Sequence, residues 1–263
     1  MTNDVLADFN KGSFTSRGTT RTVYRRGSGP TVIVLSEMPG ITPLVADFAR
    51  RVSDQGLQVV MPHLFGDDGA PPSNAAFRRA FREVCVSREF TLLATKKPSR
   101  ITEWLLDLAH DAHQQNGGPG VGVVGMCLTG GFALGMMIDS VVVAPVLSQP
   151  SLPLPLRRAA RGRVQLSDSQ MAAVQQRVSD GVNVLGLRFT CDKLVPGERF
   201  ATLRRELGDG FIGVEIDSSE GNAWGYPLDA HSVLTEHLGP EGDTPTRQAL
   251  HQVLEFFASR LKS

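Results

Sequence analysis

The most constraining feature of this chain is an alternation of short apolar runs, rich in β-branched residues, with longer amphipathic stretches. Thr31 to Leu35 (TVIVL) has the composition of a strand buried on both faces of a parallel sheet. Gln58 to Met61, Val121 to Val124, Val141 to Ala144, Val184 to Phe189 and Phe211 to Ile216 read the same way, and Thr20 to Tyr24 reads as an edge strand. Between them, Pro43 to Gln55 is helical and closed by Gly56, and Ala75 to Val86 and Arg100 to Gln115 have helical composition. Ser167 with Gln170 forms a capping-box pattern that opens a helix to Asp180. Thr244-Pro245 starts a last helix towards Leu261. This order predicts an α/β fold with a mostly parallel sheet covered on both faces. Such a sheet gathers its strand C-terminal ends along one edge, where sites form.

A length of 263 residues fits a single domain over 1–263. Within it, Ser148 to Pro155 is rich in Pro, Leu and Ser and leads into the Arg157 to Arg163 cluster, so 148–166 is expected to be a lid or pocket-bordering loop. Lys+Arg and Asp+Glu are both 27, which leaves no global basic field for nucleic acid or an anionic membrane. The Arg cluster reads as a solvated loop. No run approaches the roughly 18 apolar residues of a membrane span, and Met1 to Asn10 has no apolar h-region, so a cytoplasmic location is expected. The cysteines are Cys85, Cys127 and Cys191. Their number is odd and their spacing unlike that of metal ligands, so neither a disulfide framework nor a metal site is expected.

The strongest local signal is Val121 to Met137, VGVVGMCLTGGFALGMM. A buried strand runs into Gly125-Met126-Cys127 and an apolar helix follows, the pattern of a nucleophile elbow with Cys in place of Ser. Such a turn projects the thiol above the sheet edge, and the helix N-terminus behind it favours a thiolate. The backbone N–H of Leu128 is then free to face a developing oxyanion. The plainer reading is a core Cys in a Gly-rich turn. Downstream, Cys191-Asp192 follows a strand end, where an orienting acid belongs, although a helix N-cap explains an Asp there equally. His231 follows the next strand and precedes the final helix. Of the other histidines after Asp192, His251 falls within that helix and His237 reads as a surface loop residue.

On these residues the chain resembles the dienelactone hydrolase family. The matching segments are Ser36-Glu37-Met38-Pro39-Gly40, Gly125-Met126-Cys127-Leu128-Thr129-Gly130-Gly131, Asp192-Lys193-Leu194-Val195-Pro196 and His231-Ser232. The resemblance implies an α/β-hydrolase fold of about eight strands and a Cys127–His231–Asp192 triad. It also implies hydrolysis of esters or lactones with no metal or organic cofactor. It puts Glu37 beside the thiol, where its charge would oppose the thiolate and where it would be a catalytic acceptor of the thiol proton once substrate rearranges the pair, and makes Met38 the source of the second oxyanion N–H. The plainer reading of Glu37 is a carboxylate that only solvates the strand end. Arg82 best matches one of the two arginines with which family members hold a substrate carboxylate. Thr235 stands where the second is expected, and Thr129 stands where the family usually has Gly. The stretches Ser148 to Arg163 and Asp209 to Ala230 look longer than the family minimum.

The first functional reading is therefore a cysteine hydrolase acting on a small-molecule ester or lactone, without nucleic-acid or membrane partners, as a monomer or small homo-oligomer. The alternative is a non-catalytic relative that binds a small ligand or senses oxidants through Cys127. Binding alone would require neither Asp192 nor His231. A nucleotide-binding reading fails, because the loop after Leu35 lacks G-x-G-x-x-G and carries Glu37, which would repel a pyrophosphate.

Overall fold

The computed structural model describes residues 4–86, 100–152 and 161–262. Its strands are β1 (Asn10–Ser16), β2 (Thr19–Arg26), β3 (Thr31–Leu35), β4 (Gln58–Pro62), β5 (Val121–Met126), β6 (Val142–Ser148), β7 (Val184–Phe189) and β8 (Phe211–Ile216). They form one sheet in the order β1-β2-β4-β3-β5-β6-β7-β8. β1, β2 and β4 pair antiparallel, and the pairs from β4 through β8 are parallel. The described helices are α1 (Pro43–Ser53), α2 (Asn74–Val86), α3 (Arg100–Asn116), α4 (Gly130–Met136), α5 (Asp168–Ser179), α6 (Gly197–Leu207) and α7 (Pro245–Leu261).

Side-chain alternation along the strands divides the core into two layers. β3 sends Ile33 and Leu35 into the layer formed with α2 to α6, and Val32 and Val34 into the layer formed with α1 and α7. Every residue of β3, β5 and β7 is buried, which explains why these strands read as continuous apolar runs. α7 lies directly on β5. A Cβ on Gly122 would come within 2.8 Å of the Phe257 ring. Thr42 caps α1 by accepting the Val45 N–H, and the Ser167/Gln170 capping box opens α5.

Two strands depart from the sequence pattern. β1 is an exposed edge strand, NKGSFTS, with no apolar stripe to announce it. β6 runs on through Pro145 to Ser148. Its pairing with β7 begins only at Val146, so the missing Pro N–H breaks no bond on that side. Ser148 is thus the last residue of a buried strand, and Gln149 to Ser151 are buried as well. Of the expected lid over 148–166, residues 153–160 lie outside the described residues. Among the described residues, no helix is long and apolar enough to cross a membrane.

Candidate functional site

The C-terminal ends of the parallel strands carry the site. Glu37 follows β3, Cys127 follows β5, Asp192 follows β7, and His231 lies beyond β8. β5 ends in a tight 3₁₀ turn over Cys127–Thr129, and α4 begins at Gly130. Cys127 has φ of 55°, a left-handed backbone rarely adopted by a residue with a side chain. The turn also depends on Gly125, where a Cβ would come within 2.3 Å of the Thr129 carbonyl oxygen. Thr129 ties the turn to the sheet. Its hydroxyl accepts the Met126 N–H at 2.8 Å and reaches the Leu35 carbonyl at 3.0 Å. The residue expected to be Gly is therefore a built-in strap.

The thiol, imidazole and carboxylate converge. His231 Nδ1 lies 2.7 Å from Asp192 Oδ2, and Asp192 is buried. The other Asp192 oxygen accepts the Leu194 N–H at 2.8 Å. Nε2 of His231 is buried and makes no hydrogen bond among the described residues. Burial opposes a charged ring here. The Cys127 sulfur beside it and the bond to Asp192 outweigh it and hold His231 well above the ordinary histidine range. The Cys127 Sγ itself lies 3.0 Å from the Ser151 hydroxyl.

Glu37 is buried in the same cleft, but its hydrogen bonds run to other groups. Its Oε2 accepts from Ser232 Oγ at 2.7 Å and Gln149 Nε2 at 2.9 Å, and its Oε1 accepts from the Thr235 hydroxyl. Thr235, where an arginine was expected, is a donor to Glu37. The carboxylate thus fastens the segment carrying His231 to the end of β3. His237, expected on the surface, also supports that segment. Its Nδ1 accepts from the backbone N–H groups of His231 (3.4 Å) and Ser232 (3.3 Å), and its ring packs edge-on against Phe189.

Two buried arginines brace the loop that carries Asp192. Arg188 of β7 donates to the carbonyls of Val195 (2.9 Å) and Thr190 (2.7 Å) and pairs with Glu215. Arg199 of α6 donates to the carbonyls of Pro150 (2.6 Å), Leu194 (3.0 Å) and Arg163 (2.9 Å). Burial pushes the Arg199 guanidinium down to about 10, against the pull of Asp192. Neither arginine was singled out by sequence. An Arg within the otherwise apolar run VLGLRF was the available signal.

A cleft of about 590 Å³ opens above Cys127. Glu37, Met38, Leu128, Ser151 and His231 line it, with Phe77 and Phe81 of α2 at its rim. The two phenyl rings stack with centroids 6.3 Å apart. Arg82, on the same helix, is exposed and not among the lining residues. Among the described residues the lining contains Asp229 and Glu236 but neither Lys nor Arg.

The strand order and this strand–turn–helix site define an α/β-hydrolase. Solved structures of that fold superpose over nearly the whole chain. An assigned dienelactone hydrolase from Klebsiella pneumoniae subsp. pneumoniae MGH 78578 matches with a TM-score of 0.62 at 17% identity, covering 95% of this chain and 98% of that one. The dienelactone hydrolase-like promiscuous phosphotriesterase P91 from metagenomic libraries gives 0.60 at 18%, covering 96% and 98%. An esterase from Pyrobaculum calidifontis gives 0.55 at 15%, covering 96% and 85%. No curated protein matches in sequence. The model of the dienelactone hydrolase family matches residues 19–260, and the chain belongs to that family of hydrolases.

Proposed function

We propose that this hydrolase cleaves carboxylic esters or lactones through Cys127, His231 and Asp192, by way of an acyl-enzyme. One observation carries the reading. His231 is fixed to Asp192 at 2.7 Å while its Nε2, without a hydrogen bond among the described residues, is buried at the cleft that holds Cys127. In the first half-reaction the Cys127 thiol passes its proton to His231 Nε2 as its sulfur attacks the carbonyl carbon, and the Leu128 and Met38 N–H groups stabilise the oxyanion. The C–O bond breaks, and the leaving oxygen takes a proton from His231 Nε2. Water then gives a proton to His231 and attacks the thioester, and the C–S bond breaks to release the acid. Asp192 holds the imidazole tautomer throughout. No metal or organic cofactor takes part in these steps.

The cleft suits a neutral substrate. Glu37, Asp229 and Glu236 border it, and Arg82 is absent from its lining, so an anionic lactone such as dienelactone is expected to be poorer than a neutral ester of similar size. The test is hydrolysis of p-nitrophenyl acetate by the wild type, Cys127→Ala and Cys191→Ala. Loss in a folded Cys127→Ala protein, with Cys191→Ala active, is expected. Full turnover by Cys127→Ala would refute the mechanism.

A further inference from the structure

We propose that Ser151 is a further catalytic residue: its hydroxyl donates a hydrogen bond to the Cys127 sulfur and stabilises it as a thiolate. The inference rests on the proposed role of Cys127 and extends it. Sγ and Oγ lie 3.0 Å apart, and both side chains are buried. A second bond fixes the pair, because the Ser151 N–H donates to the Cys127 carbonyl at 3.0 Å.

The segment carrying Ser151 is clamped from three sides. Gln149, with φ of 36°, donates its N–H to the Leu187 carbonyl at 2.8 Å. Its amide donates to Glu37 and accepts the Val233 N–H at 3.3 Å. Arg199 joins the carbonyls of Pro150 and Leu194 through one nitrogen. Gln149 and Pro150, which carry these clamps, thus link the Ser151 segment to the segments bearing Glu37, Asp192 and His231. A surface hydroxyl in a loose loop would have no such constraint.

The chemistry gives the hydroxyl work at two points. When the thiol proton passes to His231, the sulfur becomes an acceptor-only anion, and Ser151 is the hydroxyl placed against it. A hydroxyl already in place stabilises it without reorganising solvent. During deacylation the same sulfur leaves the tetrahedral intermediate as a thiolate and recovers the same bond. Ser151 gives up no proton in either step, so the bonds made and broken are those of the hydrolysis itself.

Alkylation by iodoacetamide tests this, in a background with Cys85 and Cys191 replaced by Ala, followed on the Cys127 peptide by mass spectrometry. The titratable groups around Cys127 and its cleft are His231, Asp192, Glu37, Arg199, Asp229, Glu236 and His237, and Ser151→Ala leaves all of them in place. Losing a hydrogen bond to a charged acceptor should slow alkylation about 10- to 100-fold near neutral pH. It should move the alkylation profile to higher pH and lower kcat with little change in KM. Ser151→Thr, which keeps the hydroxyl, should restore most of both. A Ser151→Ala profile superimposable on that of the parent would overturn the proposal. So would slower turnover with an unchanged profile, which would mark a merely structural residue. Because the profile is read without turnover, it stays distinct from the Cys127→Ala test of the hydrolase mechanism.

Discussion

At φ of 55°, Cys127 adopts a backbone that costs a residue with a side chain about 1–3 kcal/mol. The surrounding turn maintains it through Thr129, bonded to both Met126 and Leu35, and through Gly125, which leaves room for the Thr129 carbonyl. Gly125→Ala places a methyl group against backbone atoms that cannot rotate away. It should destabilise the protein by about 1–3 kcal/mol and remove most turnover, measured as Tm and as esterase rate. Glu37 presents the converse case, a buried carboxylate satisfied by Ser232, Gln149 and Thr235. Glu37→Ala leaves these donors unpaired at a cost of about 1–3 kcal/mol each, so a drop of at least about 2 kcal/mol in denaturant unfolding is expected. Glu37→Gln can still accept from Ser232 and Gln149 and turn its amide towards Thr235, whose hydroxyl can accept, so its loss should be clearly smaller. Equal losses would mean that these contacts contribute little to stability.

At the scale of elements, the site depends on loops that strands and helices staple from behind. Arg188 lies within β7 and bonds both ends of the turn that delivers Asp192, while Glu215 on β8 balances its charge. Arg188→Met should cost about 3 kcal/mol, the lower end for breaking a buried pair, because Arg204 still holds Glu215. It should also lower kcat by loosening Asp192. A stability unchanged in urea unfolding would contradict this. The same contrast explains what could be read from sequence. β3, β5, β7 and β8, with α1, α5 and α7, were legible because apolar runs and caps are local. Cys127 and Asp192 could be picked out as candidates because they follow strand ends, and His231 because it lies beyond β8, in the chain order of the superfamily. β1 was hidden because an exposed strand needs no apolar stripe. The Ser151 contact, the support from His237 and the Glu37–Thr235 bond join residues 5 to 198 positions apart through side-chain geometry that no spacing rule encodes.

Across the whole molecule, one end of the sheet brings together groups from β3, β5, β6, β7 and the segment after β8, so the proposed chemistry depends on the strands keeping their pairing. A second, half-buried network ties β2 to the end of β4. Asp68 accepts from Tyr24 of β2 at 3.0 Å and bonds His63, just beyond β4, at 2.7 Å. The bond to Asp68 raises the His63 imidazole above its usual value, against the opposing effect of burial. A raised histidine contributes stability that is complete below about pH 6.5 and fades as pH rises through the folded-state value. The Tm advantage of the wild type over Asp68→Asn should therefore be larger near pH 6 than near pH 9. An advantage that grew with pH would reverse the assignment.

In the proposed mechanism the acyl group passes through the Cys127 sulfur. This is tested most directly by mixing the enzyme with p-nitrophenyl acetate, quenching in acid during turnover, and mapping the acetyl group by peptide mass spectrometry. One acetyl group per chain is expected, on Cys127, formed with the release of p-nitrophenol. An acetyl group on another residue, with Cys127 unmodified while turnover proceeds, would contradict it.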